Sequence, residues 1–206
     1  MNRTNCALLY VRPSYKGAAD RKRAKCTIAR DQFWNLSKQP FPGFEHAFFK
    51  TRVGKKLHYV TNRPHSKAGH AAQNGRGNLV VLLHGFPDTY VMWRHLLKDP
   101  AIPHDSARIV CLDLPNYGGS DTFDPPDTAV LEAIAEFVLA MREEHENTAA
   151  TSNKDFSTIL VAHDWGCAIG FRLAAEAPQL ADRFVLMNGP HVRSNINKSR
   201  HSANNL

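Results

Sequence analysis

Residues 159–170, ILVAHDWGCAIG, restrict the possible folds of this chain more than any other stretch. A run of apolar residues stops at a small-x-Asp-x-small pentapeptide, and a helix-like pattern begins at once. Ile159, Leu160 and Val161 fit a strand buried on both faces. Cys167, Ala168, Phe171, Leu173 and Ala174 fit a helix that Pro178 ends. A sharp strand-to-helix turn crowds the residues two before and two after its apex, so Ala162 and Gly166 leave room for it. Asp164 stands at that apex, in the arrangement of a nucleophile elbow.

An aspartate there selects a particular chemistry. A serine alkoxide that opened an epoxide or displaced a halide would leave an ether, which water does not readily cleave. A carboxylate leaves an ester, which can be hydrolysed at its carbonyl while an oxyanion hole stabilises the developing charge. Asp164 therefore argues for attack on saturated carbon. Aspartate is also a good helix N-cap, so on these five residues alone a purely structural role stays open.

The 206 residues, 43% hydrophobic and 22% charged, suit one soluble domain. The net charge of +7 would suggest nucleic acid, but it is unevenly distributed. Residues 1–30 hold eight Lys or Arg against Asp20 alone, which leaves 18 basic and 18 acidic residues elsewhere. The body is neutral and the basicity is a tail, so no nucleic-acid partner is expected. Such a tail could be an organellar presequence, a surface-binding arm or a solvated extension. Its apolar run at 6–11 is short for a secretory segment. A cytoplasmic location is expected, with mitochondria as the alternative. Cys6, Cys26, Cys111 and Cys167 show neither CxxC spacing nor a regular framework, as for free thiols in a reducing compartment. No apolar stretch approaches the length of a membrane span.

Residues 44–50 (FEHAFFK) and 56–61 (KLHYVT), separated by a turn at Gly54, suggest an antiparallel hairpin. Residues 64–78 are polar and without period, a loop whose His65 and His70 are surface histidines rather than metal ligands. The apolar run 79–83 (LVVLL) is a buried parallel strand. It delivers His84, Gly85, Phe86, Pro87 and Asp88 to the C-terminal sheet edge, where ligands bind in open α/β sheets. Gly85 allows close backbone approach and Pro87 cannot donate, so the amide of Phe86 is the natural donor there. A helix carrying Met92, Trp93, Leu96 and Leu97 should follow. Residues 108–114 (RIVCLDL) fit the next strand, with Asp113 anchoring the loop after it. Asp127 or Thr128 should cap a helix with Val130, Leu131, Ile134, Phe137, Val138 and Met141 inward and Glu132, Glu136 and Glu143 in solvent. Residues 145–155 look like a polar connector, and 183–187 (RFVLM) like a further strand.

HGFPD at 84–88, DLPNYGGSD at 113–121, AHDWG at 162–166 and NGPH at 188–191, in this order among alternating strands and helices, resemble the α/β-hydrolase fold and specifically its epoxide hydrolases. The resemblance runs from about Phe44 to His191, the N-terminal half of that family's catalytic domain. It implies a mostly parallel sheet flanked by helices, with Asp164 as nucleophile. It also implies an oxyanion hole made by the backbone amides of Phe86 and Trp165, whose side chains would line the substrate pocket. A small-molecule epoxide would be the substrate, with no cofactor or metal. Haloalkane dehalogenases share the Asp elbow and the Trp after it, but commonly place a halide-binding Asn where Phe86 stands. They are the alternative, with a non-catalytic pseudoenzyme or fragment as the third reading.

Beyond the strand at 183–187 the family continues with a cap domain, further strands, an acid and a catalytic His. The expectation for this chain is therefore a C-terminally truncated core at 44–191, after a disordered extension at 1–43 and before a polar tail at 192–206. A core of that kind should be inactive alone. His191 comes too early to be the base, and His84 and His163 are taken as structural neighbours of the loops. Oligomeric state is open.

Overall fold

The computed structural model describes residues 35–62, 77–99, 101–102, 107–124, 128–148 and 156–189. Among these, six strands form one sheet in the order β1-β2-β4-β3-β5-β6. β1 (Glu45–Lys50) and β2 (Lys56–Thr61) make the expected antiparallel hairpin. β2 then pairs antiparallel with β4 (Arg108–Leu112). β3 (Leu79–Leu83) lies between β4 and β5 (Thr158–His163), parallel to both, and β6 (Arg183–Met187) pairs parallel with β5. Leu83 is in register with Leu112 on one side and Ala162 on the other. Three strands thus end level, and the loops that follow them meet at one edge of the sheet.

Strand alternation divides the core in two. Leu79, Val81, Leu83, Val110, Leu112, Leu160 and Ala162 face α1 (Thr128–Thr148) and α2 (Trp165–Glu176), which bring Ile134, Phe137, Val138, Met141 and Leu173 against them. Leu82, Ile109 and Cys111 face the other way, against Phe41, Tyr90, Trp93 and Leu97. Phe41 is 1% exposed and meets Phe44 and Tyr90 edge to face, so packed structure begins inside the span expected to be an extension. β6 has β5 as its partner, and its Val185 and Met187 are exposed. No helix among the described residues is long and apolar enough to cross a membrane.

Several expectations are corrected. β5 is buried on one face through Thr158, Leu160 and Ala162, while Ile159 and Val161 are only half-buried, because short turns rather than a full helix cover that side. The expected helix around Met92–Leu97 is two 3₁₀ turns, Tyr90–Arg94 and Leu96–Lys98. Thr89 starts the first by accepting the Val91 N–H, and the three-residue repeat carries Tyr90 and Trp93 inward together. β4 ends at Leu112. α1 runs on to Thr148 through the supposed connector, because His145 is buried there with Nε2 2.8 Å from the Gly77 carbonyl. Glu136 is half-buried and accepts the Arg52 N–H at 2.9 Å. Thr128 opens α1, and Asp127 lies outside the described residues.

Phe137 has no exposed surface and meets Phe49 and Tyr59 edge to face, with centroids 5.6 and 5.2 Å away. Phe137→Ala should therefore lose about 3–5 kcal/mol of stability through lost burial and an unfilled cavity. Urea unfolding checks this, and a loss under about 1 kcal/mol would contradict the packing described.

Candidate active site

Asp164 joins β5 to α2 at φ +52° and ψ −120°, a conformation that L-residues adopt only under constraint. It occupies the N-cap position, yet its side chain makes no capping bond. Its Oδ2 instead accepts the backbone N–H of Phe86 at 2.9 Å, from 78 positions earlier in the chain. The backbone around it is held from two sides. The Asp164 N–H donates to the Met187 carbonyl at 3.1 Å, and the Asp164 carbonyl accepts the Cys167 N–H at 2.9 Å. The Cys167 sulfur lies 3.2 and 3.1 Å from the carbonyls of Ala162 and Met187, which share its one proton and close the turn against the end of β6.

Two glycines make the approach possible. A Cβ on Gly166 would lie 2.6 Å from the His84 carbonyl oxygen and 2.8 Å from that of Leu83, both backbone atoms that cannot swing aside. A Cβ on Gly85 would lie 2.5 Å from the Asp164 Cβ and 2.6 Å from its Oδ2. The first lets α2 start against β3, and the second lets the HGFPD loop lie on the carboxylate.

The amides of Trp165 and then Phe86 hold the Asp164 carboxyl below its usual range, against a smaller opposing effect of burial, and His163 adds slightly to the lowering. The site is thus a carboxylate ionised at neutral pH with two N–H groups turned toward it. Phe86 and Trp165 are 59% and 61% exposed beside it, an open aromatic surface rather than an enclosed pocket. Tyr117 stands edge-on to both Phe86 and His84, with centroids 6.3 and 5.5 Å apart.

Behind this face lies a buried polar network that the sequence motifs only partly signal. Asp113 is fully buried and accepts the N–H groups of Tyr90 and Gly119 at 2.7 and 2.9 Å, and its Oδ2 lies 2.7 Å from His58 Nδ1. It therefore anchors the loop, as expected, and the first 3₁₀ turn as well. His58 Nε2 lies 2.8 Å from His46 Nδ1, so two strand histidines extend the network into the hairpin. Nothing in the alternating patterns EHAFFK and KLHYVT distinguishes them from ordinary strand residues. His84 is buried between two loops: its Nε2 accepts the Leu114 N–H at 2.9 Å and its Nδ1 lies 2.8 Å from the Gly85 carbonyl. His163 Nε2 is 3.3 Å from Asn188 Nδ2. Of the residues weighed from sequence, His65, His70, Cys6, Cys26 and His191 lie outside the described residues. Cys111 and Cys167 are buried free thiols, both raised in pKa chiefly by burial. No group of three or more His, Cys, Asp or Glu suited to a metal occurs among the described residues.

The chain has relatives among known proteins. Residues 78–202 match the family model of the alpha/beta hydrolase fold. Epoxide hydrolase 3 of Mus musculus is 30% identical over 158 residues, covering 71% of this chain and 36% of that protein. Bifunctional epoxide hydrolase 2 of Sus scrofa is 26% identical over 154 residues, covering 75% of this chain and 24% of that protein. The structure of a Vigna radiata epoxide hydrolase mutant superposes with a TM-score of 0.54 at 25% identity, over 76% of this chain and 42% of that one. The chain thus spans well under half the length of these proteins.

Gly166→Ala should destabilise the protein by about 1–3 kcal/mol, because the methyl meets fixed carbonyls; an unchanged denaturation midpoint would refute the close approach. Acid supplies a second check. Burial, with His58 adding, lowers His46 from 6.5 to about 4. Burial lowers His84 as well. Both imidazoles stay neutral when folded and gain protons when unfolded. The stabilisation from His46 is therefore complete above pH 6.5 and lost as pH falls toward about 4, and that from His84 is lost in the same direction. The urea midpoint should drop across that window, and His46→Gln should flatten part of the drop; a level midpoint in the wild type would contradict the assignment.

Proposed function

The chain belongs to the α/β-hydrolase fold family, and within it we propose that Asp164 is the nucleophile of an epoxide-opening reaction that passes through an ester on the protein. The observation that carries this reading is the contact between the Asp164 carboxylate and the Phe86 amide, made at a strand-to-helix apex with positive φ. Epoxide hydrolases among the relatives supply the substrate class.

In the first step Oδ1 attacks an epoxide carbon, the carbon–oxygen bond of the ring breaks, and the released oxygen takes a proton from water or an acid. The product is a 2-hydroxyalkyl ester. Oδ2, already bonded to the Phe86 N–H, becomes its carbonyl oxygen. In the second step water adds to that carbonyl, negative charge gathers on Oδ2, and the Phe86 and Trp165 amides stabilise it. Fixed N–H donors at that position each contribute roughly a hundredfold or more to such steps. The ester bond then breaks, the departing oxygen takes one proton of the added water to complete the diol, and loss of the other to solvent restores the carboxylate. Phe86 and Trp165 would lie against the apolar part of the substrate, which their exposure beside Asp164 favours.

The second step needs a base to deliver the water. Among the described residues, His84 has both ring nitrogens engaged in the loops and His163 faces Asn188, so neither takes that role, and the ester is the species by which the first step can be read. Intact mass after incubation with styrene oxide should show a single adduct, mapped by peptide analysis to Asp164. Asp164→Asn should carry none. A wild-type chain without adduct, or an equal adduct on the Asn variant, would overturn the proposal.

A further inference from the structure

We propose that His84 is a positioning residue that locks the Gly85–Phe86 peptide plane, so that the Phe86 N–H points at the carboxylate of Asp164. The argument begins with which nitrogen holds the proton. Leu114 N–H is a donor 2.9 Å from Nε2, so Nε2 must present its lone pair, and in the neutral ring the proton sits on Nδ1. Nδ1 then donates to the Gly85 carbonyl at 2.8 Å, which also accepts the Asp88 N–H at 3.0 Å.

That carbonyl and the Phe86 N–H belong to one planar peptide unit and point in opposite directions. Fixing the oxygen fixes the N–H. If the plane turned over, the carbonyl oxygen would face the Asp164 carboxylate and the donor would be lost. Gly85 has no side chain to resist such a turn, so the restraint must come from elsewhere. The two donors to its carbonyl, His84 and Asp88, supply it. A hydrogen bond accepted at the carbonyl also polarises the unit and makes its N–H a stronger donor. The ring is held in turn by the β4 end through Leu114 and by the edge of Tyr117. Burial keeps it neutral, which preserves the acceptor at Nε2.

The effect on rate rests on Asp164 being the nucleophile; the effect on the carboxylate does not. The test follows the Asp164 carboxyl and the Phe86 amide by NMR through a pH titration, alongside the decay of the styrene oxide adduct. His84→Leu removes both ring contacts. It should raise the Asp164 midpoint toward 3.8, move the Phe86 amide resonance upfield and slow hydrolysis of the ester adduct about tenfold, less than the loss of a whole donor. His84→Asn keeps a donor where Nδ1 lies and should restore the wild-type titration in large part, a rescue that a merely space-filling role does not predict. A folded His84→Leu chain with unchanged Phe86 and Asp164 signals would overturn the proposal, as would failure of Asn to restore them. If neither variant folds, the wild-type ring decides: long-range proton–nitrogen correlation should show the proton on Nδ1, and a proton on Nε2 would refute the lock. Absence of any wild-type adduct would sink the epoxide reading alone, leaving the titration to judge His84.

Discussion

β3 and β5 run parallel and end level, with Leu83 opposite Ala162, and the whole site depends on that pairing. Level ends bring two unrelated turns, one at residue 85 and one at residue 164, to within a hydrogen bond of each other. Side chains of ordinary size would hold them apart, and Gly85 and Gly166 remove the obstruction on each side. The contact is then short enough for an amide to stabilise a carboxylate directly. Its partner is a backbone group just beyond the end of β3, so little reorganisation would accompany the charge that the proposed reaction develops there.

Polar side chains beneath the surface keep those loops in place. Asp113 accepts N–H groups from the first 3₁₀ turn and from the loop that carries Tyr117, while His84 bridges the HGFPD loop to the end of β4. Each buried atom named here has a partner, which is the condition for such a network to contribute rigidity rather than loss. His46 is the exception, since its Nε2 is buried without one. A proton there would lie in a site with no acceptor, consistent with its lowered pKa.

The parts of this arrangement visible in the sequence were those written in unbroken apolar runs and in small residues at fixed spacing. LVVLL and the residues around Asp164 located the two central strands, the elbow and the candidate donor Phe86. Other features depend on contacts between distant segments. His58 and His46 look like ordinary strand residues until β4 brings Asp113 beside them. His145 looks like a connector residue until the Gly77 carbonyl is placed against it. The turns at Tyr90–Lys98 have enough apolar residues for a helix, but packing Tyr90 and Trp93 together against the sheet favours the tighter three-residue period. His84 was legible as a loop neighbour, and its second hydrogen bond, to Leu114, is the detail only the fold supplies.

The positive φ of Asp164 has a consequence for the protein's thermodynamics. Glycine would occupy φ +52° with far less strain, so the residue that the proposed reaction requires is poorly suited to the backbone it occupies. Strain of this kind typically costs about 1–3 kcal/mol and persists only when the surroundings hold it. The bonds to Met187, Cys167 and Phe86 provide that hold. Under the proposed function, Asp164 is accordingly a position where thermal robustness and reactivity pull apart. A search that rewarded melting temperature alone would drift toward removing the carboxylate.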